Sequence, residues 1–192
     1  MKRHIDTSLL DRAIIFAVKA HQGMERKGKS FPYIVHPMEA VCIVATMTND
    51  QELLAAAALH DVIEDTDTTA DDLRQEFGER VAMIVEAESD NKTEGTKAET
   101  WRQRKLATLD RLKNASLDIK IVALGDKLSN MRAIAHDHNI LGDKLWNRFT
   151  VKDPVEHAWR YHALTEALSD LSDTEAYKEF RLLVNKTFRT IS

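Results

Sequence analysis

Residues 51–66 read QELLAAAALHDVIEDT, an alanine-rich apolar run that stops at His60 and Asp61, with Glu64 and Asp65 within the next turn. Alanine and leucine favour helix, and no polar side chain interrupts Leu53–Leu59, so a buried helix is expected over about Gln51–Ile63. On such a helix His60 and Asp61 are neighbours around the axis. Glu64 lies four residues after His60 and Asp65 four after Asp61, so all of them can reach one side. Three carboxylates crowded at the end of a buried segment are costly to desolvate unless a cation gathers them. A divalent metal supplies that cation.

The rest of the chain reads as helix too. Apolar residues recur at helical spacing, strand-like alternation is scarce, and only 6 Gly and 3 Pro occur in 192 residues. Further helices are expected at Ser8–Ala20, at Pro37–Met47 and over DDLRQEF, the last capped by Thr68 or Thr69 and closed by Gly78. ERVAMIVEAES continues helically, DNKTEGTKAET is a polar surface loop, and helices resume at Trp101–Lys113, Asp118–Ala135, Val155–Leu171 and Glu175–Phe188. The expectation is an all-α protein, residues 1–192 forming a single compact multi-helix domain without repeats.

Charge narrows the partners. A net charge of -4 gives no long-range attraction to nucleic acid or to an anionic membrane, so neither is an expected partner. An anionic ligand would need a local basic cluster, and ERKGKSFPY, residues 25–33, provides one. The first sixteen residues are interrupted by Asp6, Asp11 and Arg12, which does not suit a signal core, and no apolar stretch approaches a membrane span. One cysteine, Cys42, excludes an internal disulfide framework and agrees with a cytoplasmic location. The oligomeric state stays open.

Two other segments offer metal ligands. PYIVHP puts His36 directly before Pro37, where the backbone is expected to be extended at the mouth of a helix. IVALGDKLSNMRAI puts Asp126 inside an apolar stretch, and Gly125 before it permits close backbone approach. His36, His60, Asp61 and Asp126 then form a two-imidazole, two-carboxylate set. Such a set suits Mn²⁺ or a similar six-coordinate ion better than structural zinc.

With these residues in hand, the sequence resembles the HD superfamily of metal-dependent phosphohydrolases, and within it the alarmone hydrolases of the stringent response. RKGKSFPYIVHP, AALHDVIEDTDTT, FGERVAMIVEAESDNK and ALGDKLSNMR follow that family's order over about residues 10–170. The resemblance implies hydrolysis of guanosine 3′,5′-bis(diphosphate) and its pentaphosphate form at the 3′ side, giving pyrophosphate and GDP or GTP. It places His36, His60, Asp61 and Asp126 on the metal positions and Glu64 and Asp65 on the acidic pair that readies water. Arg26, Lys27, Lys92 and Asn130 fall on substrate-contact positions. Asn91 stands where relatives often carry Asp, and Gly125 where many carry Ala.

Plainer readings stand beside these. Lys127 can pair with neighbouring acids or touch substrate, and Tyr161 can pack in the core or line the pocket. His21, Trp101 and Trp159 read as packing residues, and the second HD pair, His136–Asn139, lies among turn-prone residues and reads as a decoy. Two functional alternatives stay open. One is a related phosphohydrolase acting on an adenosine alarmone, NADPH or another nucleotide; the other is a catalytically idle nucleotide-binding signalling domain.

Overall fold

The computed structural model describes residues 5–89, 96 and 99–189; Asn91 and Lys92 lie outside them. Helix α1 (Ser8–Ala20) leads through the basic loop to α2 (Val35–Val44) and α3 (Gln51–Leu59). The short α4 (Val62–Asp65) is followed by α5 (Ala70–Phe77), α6 (Glu79–Glu88), α7 (Trp101–Lys113) and α8 (Leu117–Leu141). After a 3-10 segment, α9 (Pro154–Ala167) and α10 (Glu175–Thr187) close the chain. No strand occurs among the described residues, so the all-α expectation holds.

The longest helix, α8, is the spine. Its residues Lys120–Ser129 are all buried, and α2, α3, α6 and α10 pack around it. Gly125 lets α2 press onto α8: a Cβ there would stand 2.7 Å from Val44 Cγ2 and 3.1 Å from the Ala40 carbonyl oxygen. Helix α3 is packed on several sides, since Leu53–Leu59 are all buried and the alanines keep its girth small. The capping box before α5 forms as expected on Thr69: its Oγ accepts from the Asp72 N–H, and Asp72 Oδ2 accepts from the Thr69 N–H.

Three expectations need correction. The helix predicted over Gln51–Ile63 is two helices, because α3 ends at Leu59 and α4 begins at Val62. His60 sits at the break and its Nδ1 turns back 2.8 Å onto the Ala57 carbonyl, the acceptor an unbroken helix would offer to the Asp61 N–H. His36 is helical rather than extended. Pro37 falls in the first turn of α2, where its missing N–H has no intrahelical acceptor to lose, and the His36 N–H donates to the Tyr33 carbonyl at 2.9 Å. Finally, α8 does not end at Ala135 but runs through His136–Asn139 to Leu141, stopped by Gly142 at a φ of +56°. That second HD pair is structural: Asp137 binds Lys29 and Arg148, and the His138 ring packs on Trp146.

Candidate metal centre and adjoining cleft

The chain brings three separated segments to one point. His36 comes from α2, His60 and Asp61 from the break between α3 and α4, and Asp126 from the middle of α8. The Nε2 atoms of His36 and His60 are 3.2 Å apart. Asp61 Oδ2 lies 3.4 Å from the first and 3.1 Å from the second, and Asp126 Oδ1 lies 3.1 and 3.5 Å from them. His36, His60 and Asp126 each offer a ligand atom within 4.8 Å of the others.

The proton positions make this a donor set. A carbonyl only accepts, so the contact with Ala57 puts a proton on His60 Nδ1 and aims the Nε2 lone pair of the neutral ring at the cluster. His36 Nδ1 lies 2.8 Å from Ser129 Oγ, a hydroxyl that can accept or donate. Two lone pairs and two carboxylates then face one another, and that arrangement demands positive charge. Asp61 stands close to the two imidazoles but outside the mutually close group of His36, His60 and Asp126. Ligand atoms at roughly 2.1 Å from one ion and at right angles to each other stand roughly 3 Å apart, so the separations among those three fit a divalent ion. Without one, a proton meets the demand. Burial alone would lower the His60 pKa, but the Asp61 and Asp126 carboxylates raise it well above the usual 6.5. Burial would likewise raise Asp61 and Asp126, yet His60 holds the first and Lys127 the second well below the ordinary carboxylate range.

Around the cluster, the acidic and basic residues take distinct stations. Glu64 and Asp65, on α4, are exposed and line the cleft over the cluster. Arg26 is placed by a tight turn in which the Lys29 N–H bonds to the Arg26 carbonyl at 2.9 Å, with Gly28 at a φ of +72°. Its guanidinium donates to Asn130 Oδ1 and lies over the Tyr33 ring, and Asn130 Nδ2 in turn donates to Asp126 Oδ1. A second cleft opens beside the first and shares Arg26, Asn130 and Arg160 with it. Lys27, Lys29 and Arg148 line it on the polar side, and Ile134, Phe149 and Tyr161 on the apolar side.

Two predicted substrate contacts sit deeper than the sequence implied. Lys127 places its ammonium 2.5 Å from Asp126 Oδ2 and 3.2 Å from Glu88 Oε2, with 9% of its side chain exposed. Burial would lower its pKa, but those two carboxylates raise it, so it stays charged. Tyr161 is 3% exposed and stacked on Phe188, one edge reaching the second cleft.

The sequence reading missed Tyr33, Glu88, Ser129, Glu39 and Arg160. Tyr33 donates its hydroxyl to Asp61 Oδ2 at 2.6 Å, and its place three residues before His36 was a usable signal. Ser129, three residues after Asp126 on α8, carried the same signal. Glu88 and Arg160 reach the cleft from α6 and α9, and nothing local in the sequence marks them.

A family model for the HD domain matches residues 13–145. The chain belongs to the HD domain family. Curated relatives share the likeness. This HD domain is 34% identical over 128 residues to a guanosine-3′,5′-bis(diphosphate) 3′-pyrophosphohydrolase of Aquifex aeolicus, and 32% identical over 179 residues to the bifunctional (p)ppGpp synthase/hydrolase SpoT of Escherichia coli. It spans only 18% and 24% of those two proteins, and 65% and 88% of its own chain is covered. The guanosine-3′,5′-bis(diphosphate) 3′-pyrophosphohydrolase MESH1 of Danio rerio is 35% identical over 155 residues, covering 79% of the HD domain chain and 81% of MESH1. A solved structure titled as a metazoan ortholog of SpoT that hydrolyses ppGpp matches 97% of both chains with a TM-score of 0.75 at 22% identity, a likeness of fold. Among the described residues, no helix is long and apolar enough to cross a membrane.

Proposed function

We propose that this protein is a divalent-metal-dependent pyrophosphohydrolase of guanosine 3′,5′-bis(diphosphate) and its pentaphosphate form, working in the cytoplasm, with Mn²⁺ as its ion. The observation that carries this reading is adjacency. A cluster of two buried imidazoles, the buried Asp126 and the partly exposed Asp61 opens directly between an acidic pair and a basic cleft with an apolar wall. The MESH1 relative, of which this chain covers 81%, supports the substrate.

His36, His60, Asp61 and Asp126 would hold the ion, which supplies positive charge to phosphoryl oxygens and makes water more acidic. In the reaction, water adds to the phosphorus beside the 3′-oxygen, the bond between them breaks, the 3′-oxygen takes up a proton from solvent, and pyrophosphate leaves GDP or GTP behind. Glu64 accepts the proton of that water at a carboxylate oxygen, with Asp65 beside it holding the water in line. Arg26 and Arg160 stand where the clefts meet and balance the charge of the diphosphate. Lys27 and Arg148, further along, suit the 5′-phosphates, and the wall of Ile134, Phe149 and Tyr161 suits the nucleoside. Lys92 is proposed as a further phosphate contact on the family resemblance alone.

Product analysis tests the reading. With Mn²⁺ present, the protein should release pyrophosphate from guanosine 3′,5′-bis(diphosphate) and leave GDP. Faster turnover of the adenosine counterpart, phosphate release from NADPH, or a flat time course on the whole panel would each refute it.

The ion should also compete with a proton. The folded-state pKa of His60 lies above the unfolded value of 6.5, so its proton stabilises the metal-free protein fully below that pH, and the contribution is lost as pH rises through the folded value. Mn²⁺ needs the neutral imidazole. The rise in melting temperature on adding Mn²⁺ should therefore grow from about pH 6 to about pH 8. Thermal melts showing the same rise at every pH would argue against this exchange.

A further inference from the structure

His60 and His36 each engage a partner at Nδ1, but the two partners differ in kind. The partner of His60 is a backbone carbonyl, which can only accept. The partner of His36 is the hydroxyl of Ser129, which can accept or donate. Left alone, Ser129 could donate to Nδ1, push the ring proton to Nε2 and cover the lone pair that faces the cluster.

Something must decide the direction of that hydroxyl, and Glu39 is placed to do so. Ser129 Oγ donates to Glu39 Oε2 at 2.7 Å, and Ser129 is 2% exposed. A carboxylate has no proton to give, so the single Ser129 proton is committed to Glu39 and the Ser129 oxygen is left to accept from His36 Nδ1. The other oxygen, Glu39 Oε1, accepts from Arg132 Nη1 at 3.1 Å. Arg132 is anchored by a two-point contact of 2.7 Å each to Glu179 on α10. Arginine only donates, so this end of the chain is also fixed in direction.

We propose that Glu39 is a positioning residue, which orients Ser129 and thereby sets the His36 tautomer that leaves Nε2 free for the metal. The inference rests on the metal-centre reading above. It makes a prediction that a merely structural contact would not. In Glu39→Gln, the amide has one accepting oxygen and one donating nitrogen to divide between Arg132, which only donates, and Ser129, which can do either. The oxygen turns to Arg132 and the nitrogen to Ser129. Ser129 then donates to His36 Nδ1, and the ring proton moves to Nε2. Removing Arg132 as well, in Glu39→Gln/Arg132→Met, lets the amide oxygen turn back to Ser129.

The test is Mn²⁺ binding to the full chain without nucleotide, with free Mn²⁺ read by electron paramagnetic resonance. Glu39→Gln and Ser129→Ala should each weaken binding by about 10–100-fold, and the double variant should recover to within about threefold of the parent. Single variants that bind within about twofold of the parent, or a double variant as weak as Glu39→Gln, overturn the proposal. Metal-free melting curves check folding; if Glu39→Gln loses its cooperative transition, Ser129→Ala decides alone. A parent that takes up no Mn²⁺ overturns the metal reading and this inference together, whereas a binding parent with unaffected variants overturns this inference only.

Discussion

Asp61→Ala should strip the protein of its divalent ion and with it all measurable turnover. Asp61 Oδ2 is the atom that approaches both Nε2 nitrogens, at 3.4 and 3.1 Å. Its loss leaves three of the four donors and removes half of the negative charge aimed at the ion. Changes outside the ligand shell typically cost roughly 10–100-fold in metal affinity, and loss of a charged ligand should exceed that. The substitution also leaves the Tyr33 hydroxyl without the carboxylate it bonds at 2.6 Å, so some stability will be lost as well. Metal content by elemental analysis, turnover, and a thermal melt of the same sample separate these effects. A folded Asp61→Ala protein that keeps a full equivalent of metal would remove the ligand assignment.

Glu64→Ala should behave in the opposite way, keeping its ion and losing its chemistry. Glu64 is exposed at the rim of the cleft, four residues beyond His60 in sequence. A group that accepts a proton in the transition state is worth roughly 10²–10⁴-fold in rate. The loss should fall on kcat, with Mn²⁺ affinity within about twofold of the parent, because no ligand changes. Asp65→Ala, which alters the neighbour proposed to hold the water, should cost less. If Glu64→Ala retains more than about a third of kcat, Asp65 or another group accepts the proton.

How much of this could be read from the chain alone depends on how local each signal was. Helical periodicity and the scarcity of Gly and Pro decided the fold class, and the four clustered donors were visible because each sits in an apolar segment where a polar side chain is conspicuous. The break at His60 was not visible. It arises when a side chain takes the place of a backbone donor at the Ala57 carbonyl, and helix propensity carries no such information. The extended backbone expected at His36 failed for a related reason: the preference of a pre-proline residue yields when the proline lies in a first helical turn. The long reach of α8 was missed because polar residues at 136–139 looked like a terminus, while the actual stop was Gly142. Arg148 and Arg160 join the basic cleft from distant helices, and only packing brings them there.

The path from Arg26 through Asn130 to Asp126 ties a guanidinium where the two clefts meet to a carboxylate of the candidate metal centre. An anion that draws Arg26 away must loosen the amide, and the amide is one of the groups bracing Asp126. Occupancy at the two places therefore shares one free energy: whatever factor a nucleotide applies to the grip on the cation, the cation returns equally to the nucleotide. Under the proposed function, a nucleotide that loosens Asp126 would weaken the hold on the cation, and the cation would weaken the hold on the nucleotide by the same factor.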